Sequence, residues 1–267
     1  MLDKPESIRD IYTHLARYNF AANFVSNKIV LDVACGPGYG SYFLLGRGAS
    51  QVIGGDIYPP AIEVAKKNFR KSGIDFFLLD ATVIPFADES FDIVVSLETI
   101  EHLEQYRQYL TEVQRVLKPG GIFVCSTPNR WHHYASLISP SIYHMHEFSI
   151  EELTGLLQEF FVGVEIYEQG WWRNMEKERL RISVAEKAVA RFLIHFPPLY
   201  KSAKFLYWYL VLWPNEMLFK SSTKMSLTQI KNDWDNILGK ITEQEKIVPL
   251  GLRTLTSRTI VAVARKC

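Results

Sequence analysis

The feature that most constrains this chain is a rhythm: between Ile29 and Thr127, short apolar runs alternate with amphipathic stretches. The runs are IVLDV at 29–33, QVIGGD at 51–56, FFLLD at 76–80, FDIVVSL at 91–97 and GIFVCST at 121–127. Their β-branched and aromatic residues suit strands covered on both faces, and strands separated by helix-length segments join by right-handed crossovers into a parallel sheet. The connecting segments read as helices. Pro60 to Arg70 starts with a proline suited to a first turn, and Tyr106 to Leu117 spaces apolar residues at 106, 110, 113 and 117 before Lys118-Pro119-Gly120-Gly121 ends it. Ser149-Ile150-Glu151-Glu152 is a capping box, predicting a helix to about residue 160 and a strand near 162–168. TIVAVA at 259–264 supplies a last strand.

Between those final two strands lie residues 171–257, far more than an ordinary loop, so an inserted subdomain is expected there. Within Trp171 to Lys204, eight Lys or Arg stand against three Glu. Val184, Ala185, Ala188, Val189, Phe192, Leu193 and Phe196 fall on one helical face with Lys187 and Arg191 opposite, and FLYWYLVLW follows at 205–213. Such a segment can pack on itself, on a second copy of the chain, on a hydrophobic acceptor or against an anionic membrane surface. RNA contact has less support, because no recognised RNA-binding motif is present.

Composition narrows the class. With 48% hydrophobic residues in 267, the chain can bury one large core, and its 30 Lys and Arg against 29 Asp and Glu leave no general basic field for DNA. Three cysteines without CxxC spacing argue against a disulfide or zinc scaffold and for a reduced compartment. The first ten residues are charged where a secretion signal needs an apolar core, and no run approaches the ~20 apolar residues of a membrane span. Cytoplasmic placement is the expectation, with peripheral membrane contact through the insertion left open.

The chemistry concentrates at strand ends. Val30-Leu31-Asp32-Val33-Ala34-Cys35-Gly36-Pro37-Gly38-Tyr39-Gly40 follows the first strand and opens a helix, where glycines let backbone amides approach a ligand. The second strand ends in Asp56, placed to accept hydrogen bonds from ribose hydroxyls, and the third in Asp80. Each aspartate alone could be a turn or cap residue; three together point to an adenosine site. A nicotinamide cofactor fits less well, because the loop lacks GxGxxG spacing. After the fourth strand, Glu98, Glu101 and His102 bring two carboxylates and an imidazole within five residues, and His144-Met145-His146-Glu147-Phe148 follows the fifth. Such a group suits proton removal from a bound hydroxyl, for which His102 is the natural base; mixed oxygen and imidazole donors also suit magnesium or manganese, and a purely structural role is the third reading.

These residues resemble the class I S-adenosylmethionine-dependent methyltransferases, through VLDVACGPGYG, GGDIY, LLDATVIPFADESFDIVVS and EVQRVLKPGGIFVCSTPN, over about residues 8–170. Ala34 departs from the family's usual first glycine. The N-terminal His14-Leu15-Ala16-Arg17-Tyr18, the Gly38-Tyr39-Gly40-Ser41 ending, Glu98 to Leu103, Ser126 to Asn129 and His144 to Ser149 resemble a branch associated with glycan, lipid or secondary-metabolite modification. The alternative for His14 and Arg17 is a helix face packing on the sheet edge.

The resemblance implies a Rossmann-like, doubly wound, seven-stranded α/β sheet with a helical insertion before the last strand. It divides the chain into an N-terminal helical cap (1–28), a cofactor-binding core (29–170), the insertion (171–257) on the acceptor side and the last core strand (258–267). It implies S-adenosylmethionine as cofactor: Asp56 and Ile57 at the ribose, Asp80 and Ala81 at the adenine edge, Asp32, Ala34, Gly36 and Gly38 at the methionine part, with Tyr18 and Leu97 completing the surface. O-methylation of a small glycan-, lipid- or metabolite-type acceptor follows, with Glu98, Glu101 and His102 as catalytic candidates. Glu98, Glu101 and His102 with one of His144 and His146 also resemble the magnesium or manganese site of small-RNA 2′-O-methyltransferases, and the first three that of polyprenyl catechol O-methyltransferases. Two alternatives stay open: a metal-assisted enzyme on a catechol or RNA ribose 2′-hydroxyl, and a catalytically silent partner subunit.

Overall fold

In a computed structural model, residues 8–130, 144–171, 245–249 and 259–267 are described. The strands are β1 (Ile29–Val33), β2 (Gln51–Asp56), β3 (Ile74–Leu78), β4 (Phe91–Leu97), β5 (Leu117–Pro128), β6 (Val162–Trp171), β7 (Glu245–Pro249) and β8 (Thr259–Arg265). The helices are α1 (Ile8–Ala21), α2 (Tyr39–Gly46), α3 (Pro59–Phe69), α4 (Tyr106–Val116) and α5 (Ile150–Phe160).

One sheet runs β3-β2-β1-β4-β5-β8-β6-β7. The five strands from β3 to β5 are parallel, whereas β8 enters antiparallel between β5 and β6. These comprise the seven strands expected from the sequence, apart from β7, which adds an eighth at the edge by pairing antiparallel with β6. That strand falls inside the 171–257 segment and was not read from the sequence. The basic amphipathic stretch at 184–196 and the aromatic run at 205–213 lie outside the described residues.

Alternation along the strands builds two cores, since successive side chains point to opposite faces. Val30, Val52, Ile93, Val95, Val124, Val261 and Val263 pack under α1, α2 and α3, while Leu31, Val33, Val94, Phe123, Ile260 and Ala262 pack under α4 and α5. The apolar runs of β1, β4 and β8 are therefore strands buried on both faces.

Local chemistry sets the helix starts. The predicted capping box forms at α5: Ser149 Oγ accepts from Glu152 N at 3.2 Å, and Glu152 Oε2 accepts from Ser149 N at 2.9 Å. Pro59 and Pro60 occupy the first positions of α3. FFLLD is displaced by two residues from the expectation, because β3 runs over Ile74–Leu78 and leaves Leu79 and Asp80 in the turn beyond it.

Candidate active site

Strand order reverses at β1 and β4: α2 after β1 packs on one face and α4 after β4 on the other, which opens a crevice at the carboxyl ends of these strands. The loop after β1, Asp56, Asp80 and the Glu98–His102 turn follow or end β1, β2, β3 and β4 on this edge.

The loop after β1 is shaped by left-handed backbone. Ala34 (φ 59), Gly36 (φ 56) and Gly38 (φ 86) all adopt it. For Ala34 this costs roughly 1–2 kcal/mol, which gives a physical reason why glycine is the usual residue there. At Gly38 a Cβ would stand 2.7 Å from that of Ala65, so the loop closes onto α3, whereas at Gly36 it would meet nothing within 4 Å. Open space over bare backbone at Gly36 is the room a ligand needs to reach the main chain.

Asp56 ties the strand ends together. Its Oδ2 accepts from Gly36 N at 2.9 Å and its Oδ1 from Tyr58 N at 2.8 Å, so the carboxylate stands half-buried against the loop crest. Ile57 beside it is exposed. Asp80 is exposed and accepts from both the amide and the hydroxyl of Thr82 through Oδ1, at 2.8 and 2.7 Å, beside buried Ala81. It thus serves the turn beyond β3.

Asp32 is fully buried. Ser41 Oγ donates to it at 2.5 Å and the Tyr18 hydroxyl at 3.2 Å. Burial raises its carboxyl from 3.8 to about 7, against the opposing pull of the Ser41 and Tyr18 hydrogen bonds. The Ser41 partner was not read from the sequence, although its motif was.

At the end of β4, Leu97 is buried and Glu98 adopts φ 53, a left-handed conformation uncommon for a residue with a side chain. Ser126 Oγ donates to Glu98 Oε1 at 2.8 Å, and Arg17 Nε lies 4.0 Å from the same oxygen. A single 3₁₀ turn at Ile100–His102 then buries Glu101 and exposes His102. Thr127 Oγ1 donates to Glu101 Oε2 at 3.0 Å, while Oε1 has no hydrogen-bond partner among the described residues and stands 3.9 Å from His102 Nε2. Burial, followed by the neighbouring Glu98, pushes Glu101 well above the ordinary carboxylate range. The 144–148 segment is pinned here: Met145 N and His146 N both donate to the Glu101 carbonyl, at 2.8 and 3.1 Å.

Among the described residues, one atom from each of Glu101, His102 and His144 forms a group within 4.8 Å of one another, a donor set that suits a small divalent ion. The other two ligand candidates are turned elsewhere. Glu98 faces Ser126 and Arg17, and His146 stacks on Phe148 and Tyr106, with ring centroids 4.3 and 5.7 Å away. His102 and His144 pack edge to face at 5.0 Å.

With this geometry established, similarity to known proteins acquires a location. Residues 31–125 match the family model described as a methyltransferase domain. That segment spans the loop after β1, Asp56, Asp80 and the Glu98–His102 turn. A protein of Mycolicibacterium smegmatis named as a probable S-adenosylmethionine-dependent methyltransferase is 37% identical over 146 residues, 54% of this chain and 56% of its own length. A phthiotriol/phenolphthiotriol dimycocerosates methyltransferase of Mycobacterium tuberculosis is 40% identical over 113 residues, 41% of this chain and 42% of its own. A ubiquinone biosynthesis O-methyltransferase of Cereibacter sphaeroides is 42% identical over 103 residues, 38% of this chain and 41% of its own. The chain thus spans about half or less of the length of the curated relatives it matches. In fold it is similar to a crystal structure of an S-adenosylmethionine-dependent methyltransferase from Thermotoga maritima, with a TM-score of 0.57 at 15% identity, covering 96% of this chain and 91% of that one. The architecture is the Rossmann-like fold of class I methyltransferases.

Proposed function

We propose that this chain is an S-adenosylmethionine-dependent methyltransferase that methylates a hydroxyl on a small glycan-, lipid- or metabolite-type acceptor. The observation that carries the reading is the convergence, in one switch-point crevice, of the 32–40 loop, Asp56 and the Glu98–His102 turn. Bound there, the cofactor supplies an electrophilic methyl group. The chain's own work is alignment and proton removal. Asp56 accepts from ribose hydroxyls, and the open backbone at Gly36 receives the methionine part. His102, exposed at the mouth, takes the acceptor's hydroxyl proton, while Glu101 behind it and His144 beside it restrict the ring. The named relatives favour this acceptor class: one works on dimycocerosates, the other is an O-methyltransferase of ubiquinone biosynthesis. The insertion at 171–257 would form the acceptor side, and a homodimer or membrane surface remains its other use.

The Glu101, His102 and His144 group favours a second reading, in which these side chains hold magnesium or manganese and orient vicinal oxygens of a catechol or ribose. Chelated enzyme separates the two: restoration of turnover by either ion supports the metal, and full turnover without it supports the base.

The primary test is transfer of label from methyl-labelled S-adenosylmethionine into fractionated cell extract. Label in a small molecule as a methyl ether supports the proposal. Label in protein or nucleic acid contradicts the acceptor class.

A further inference from the structure

Arg17 is the one cation of α1 sealed inside the protein among the described residues, with 2% of its surface exposed. A buried guanidinium costs several kcal/mol unless its donors and charge are answered, so its surroundings report what it is for. Nη1 donates to Gln169 Oε1 at 2.8 Å, reaching from the N-terminal helix to β6. Nε has no hydrogen-bond partner among the described residues, and the nearest ion-pair oxygen is Glu98 Oε1 at 4.0 Å. Gln169, itself buried, returns a hydrogen bond from Nε2 to the Thr13 carbonyl of α1 at 3.1 Å. The link between α1 and β6 is therefore reciprocal.

The neighbouring residue faces the opposite partner. Tyr18 donates to Asp32, and its ring packs so closely on the start of α2 that a Cβ at Gly40 would stand 2.0 Å from it. Tyr39, the first residue of α2, has its hydroxyl 3.2 Å from His14 Nδ1. α1 also packs against β7, the strand inside the 171–257 segment. One helix thus touches the cofactor-side loop, the left-handed Glu98 at the end of β4, and the strand pair that bounds the insertion.

We infer that Arg17 is a positioning residue: through Gln169 and Glu98 it couples docking of α1 on the 32–40 loop to assembly of the acceptor side at β6 and β7. This rests on the cofactor reading above and goes beyond it. The cofactor loop and the acceptor side are then one cooperative unit, so a ligand at the loop stabilises strands it does not touch. Tyr18 transmits from the loop and Arg17 delivers to Glu98 and Gln169, which explains why a costly buried charge stands in this helix.

Hydrogen exchange with S-adenosylhomocysteine as probe tests this without knowing the acceptor. At about 100-fold above Kd, amides that open only after ligand release slow by up to about 100-fold. In the wild type this slowing should reach 34–40, 13–21, 166–169 and 245–249. In Arg17→Lys it should persist at 34–40 and be lost at 166–169 and 245–249. Gln169→Leu removes the link from the other strand, keeps Arg17 and should behave alike, which covers the case in which the Arg17 variant fails to fold. A packing role alone would lower melting temperature and leave the ligand-induced pattern intact. Slowing confined to 34–40 in the wild type, or retained at 166–169 in both variants, overturns the inference. Absence of probe binding in calorimetry would instead overturn the cofactor reading, and the inference with it.

Discussion

At the carboxyl end of β1, Asp32 has no exposed surface, and its carboxyl is raised from 3.8 to about 7 by burial. Between those values the folded state holds a proton that the unfolded chain has released, so this carboxyl's contribution to stability is greatest near the acid end and declines as pH rises toward 7. The full effect is on the order of 4 kcal/mol. Denaturant titrations at pH 5 and 7 should show that slope in the wild type and a flatter one in Asp32→Asn. Asp56 is the complementary case, a half-buried carboxylate held by two backbone amides. Asp56→Ala should weaken S-adenosylmethionine binding by about 1.5 to 3 kcal/mol, since a charge-assisted acceptor is lost. His102→Ala should leave cofactor affinity nearly unchanged and lower turnover by about 100- to 10,000-fold, with one limb of the pH profile gone. Unchanged turnover would assign the imidazole to structure.

Among the elements, α1 depends on the absence of a single side chain. A methyl at Gly40 would stand 2.0 Å from the Tyr18 ring, so Gly40→Ala must displace α1 or the start of α2. Overpacking of this kind costs about 1–3 kcal/mol, to be read as a lower denaturant midpoint at unchanged slope, together with weaker cofactor binding. The strands were legible because β1, β2 and β4 are buried on both faces and read as continuous apolar runs. β3 was less so: as an edge strand it leaves Phe77 and Leu78 exposed, and the apolar signal continues past its end. β7 carries little signal of its own, since Glu245–Pro249 becomes a strand by pairing with β6. At the candidate site the residue types were legible, but their facing was not. Nothing in the spacing of Glu98, Glu101 and His102 says that the first turns to Ser126 and Arg17, the second is sealed, and the third is exposed. Arg17 and Gln169 meet across 152 positions, a pairing that follows from sheet topology and leaves no local trace.

For the whole molecule, the sheet order brings the loop after β1, Asp56 and the Glu98–His102 turn to the carboxyl ends of neighbouring parallel strands. Replacing residues 172–244 by a short hairpin that keeps β7 should abolish methylation of the natural acceptor while leaving cofactor binding; retained activity would move specificity elsewhere. Among the described residues no helix is long and apolar enough to cross a membrane. Flotation with anionic vesicles at low salt tests surface attachment by the basic stretch. The central claim, that this crevice takes S-adenosylmethionine, is tested most directly by calorimetric titration of S-adenosylhomocysteine and of NAD into the full chain. The account predicts one-to-one binding of the first, weakened in Asp56→Ala, and no heat from the second. Binding of NAD with none of S-adenosylhomocysteine would contradict it.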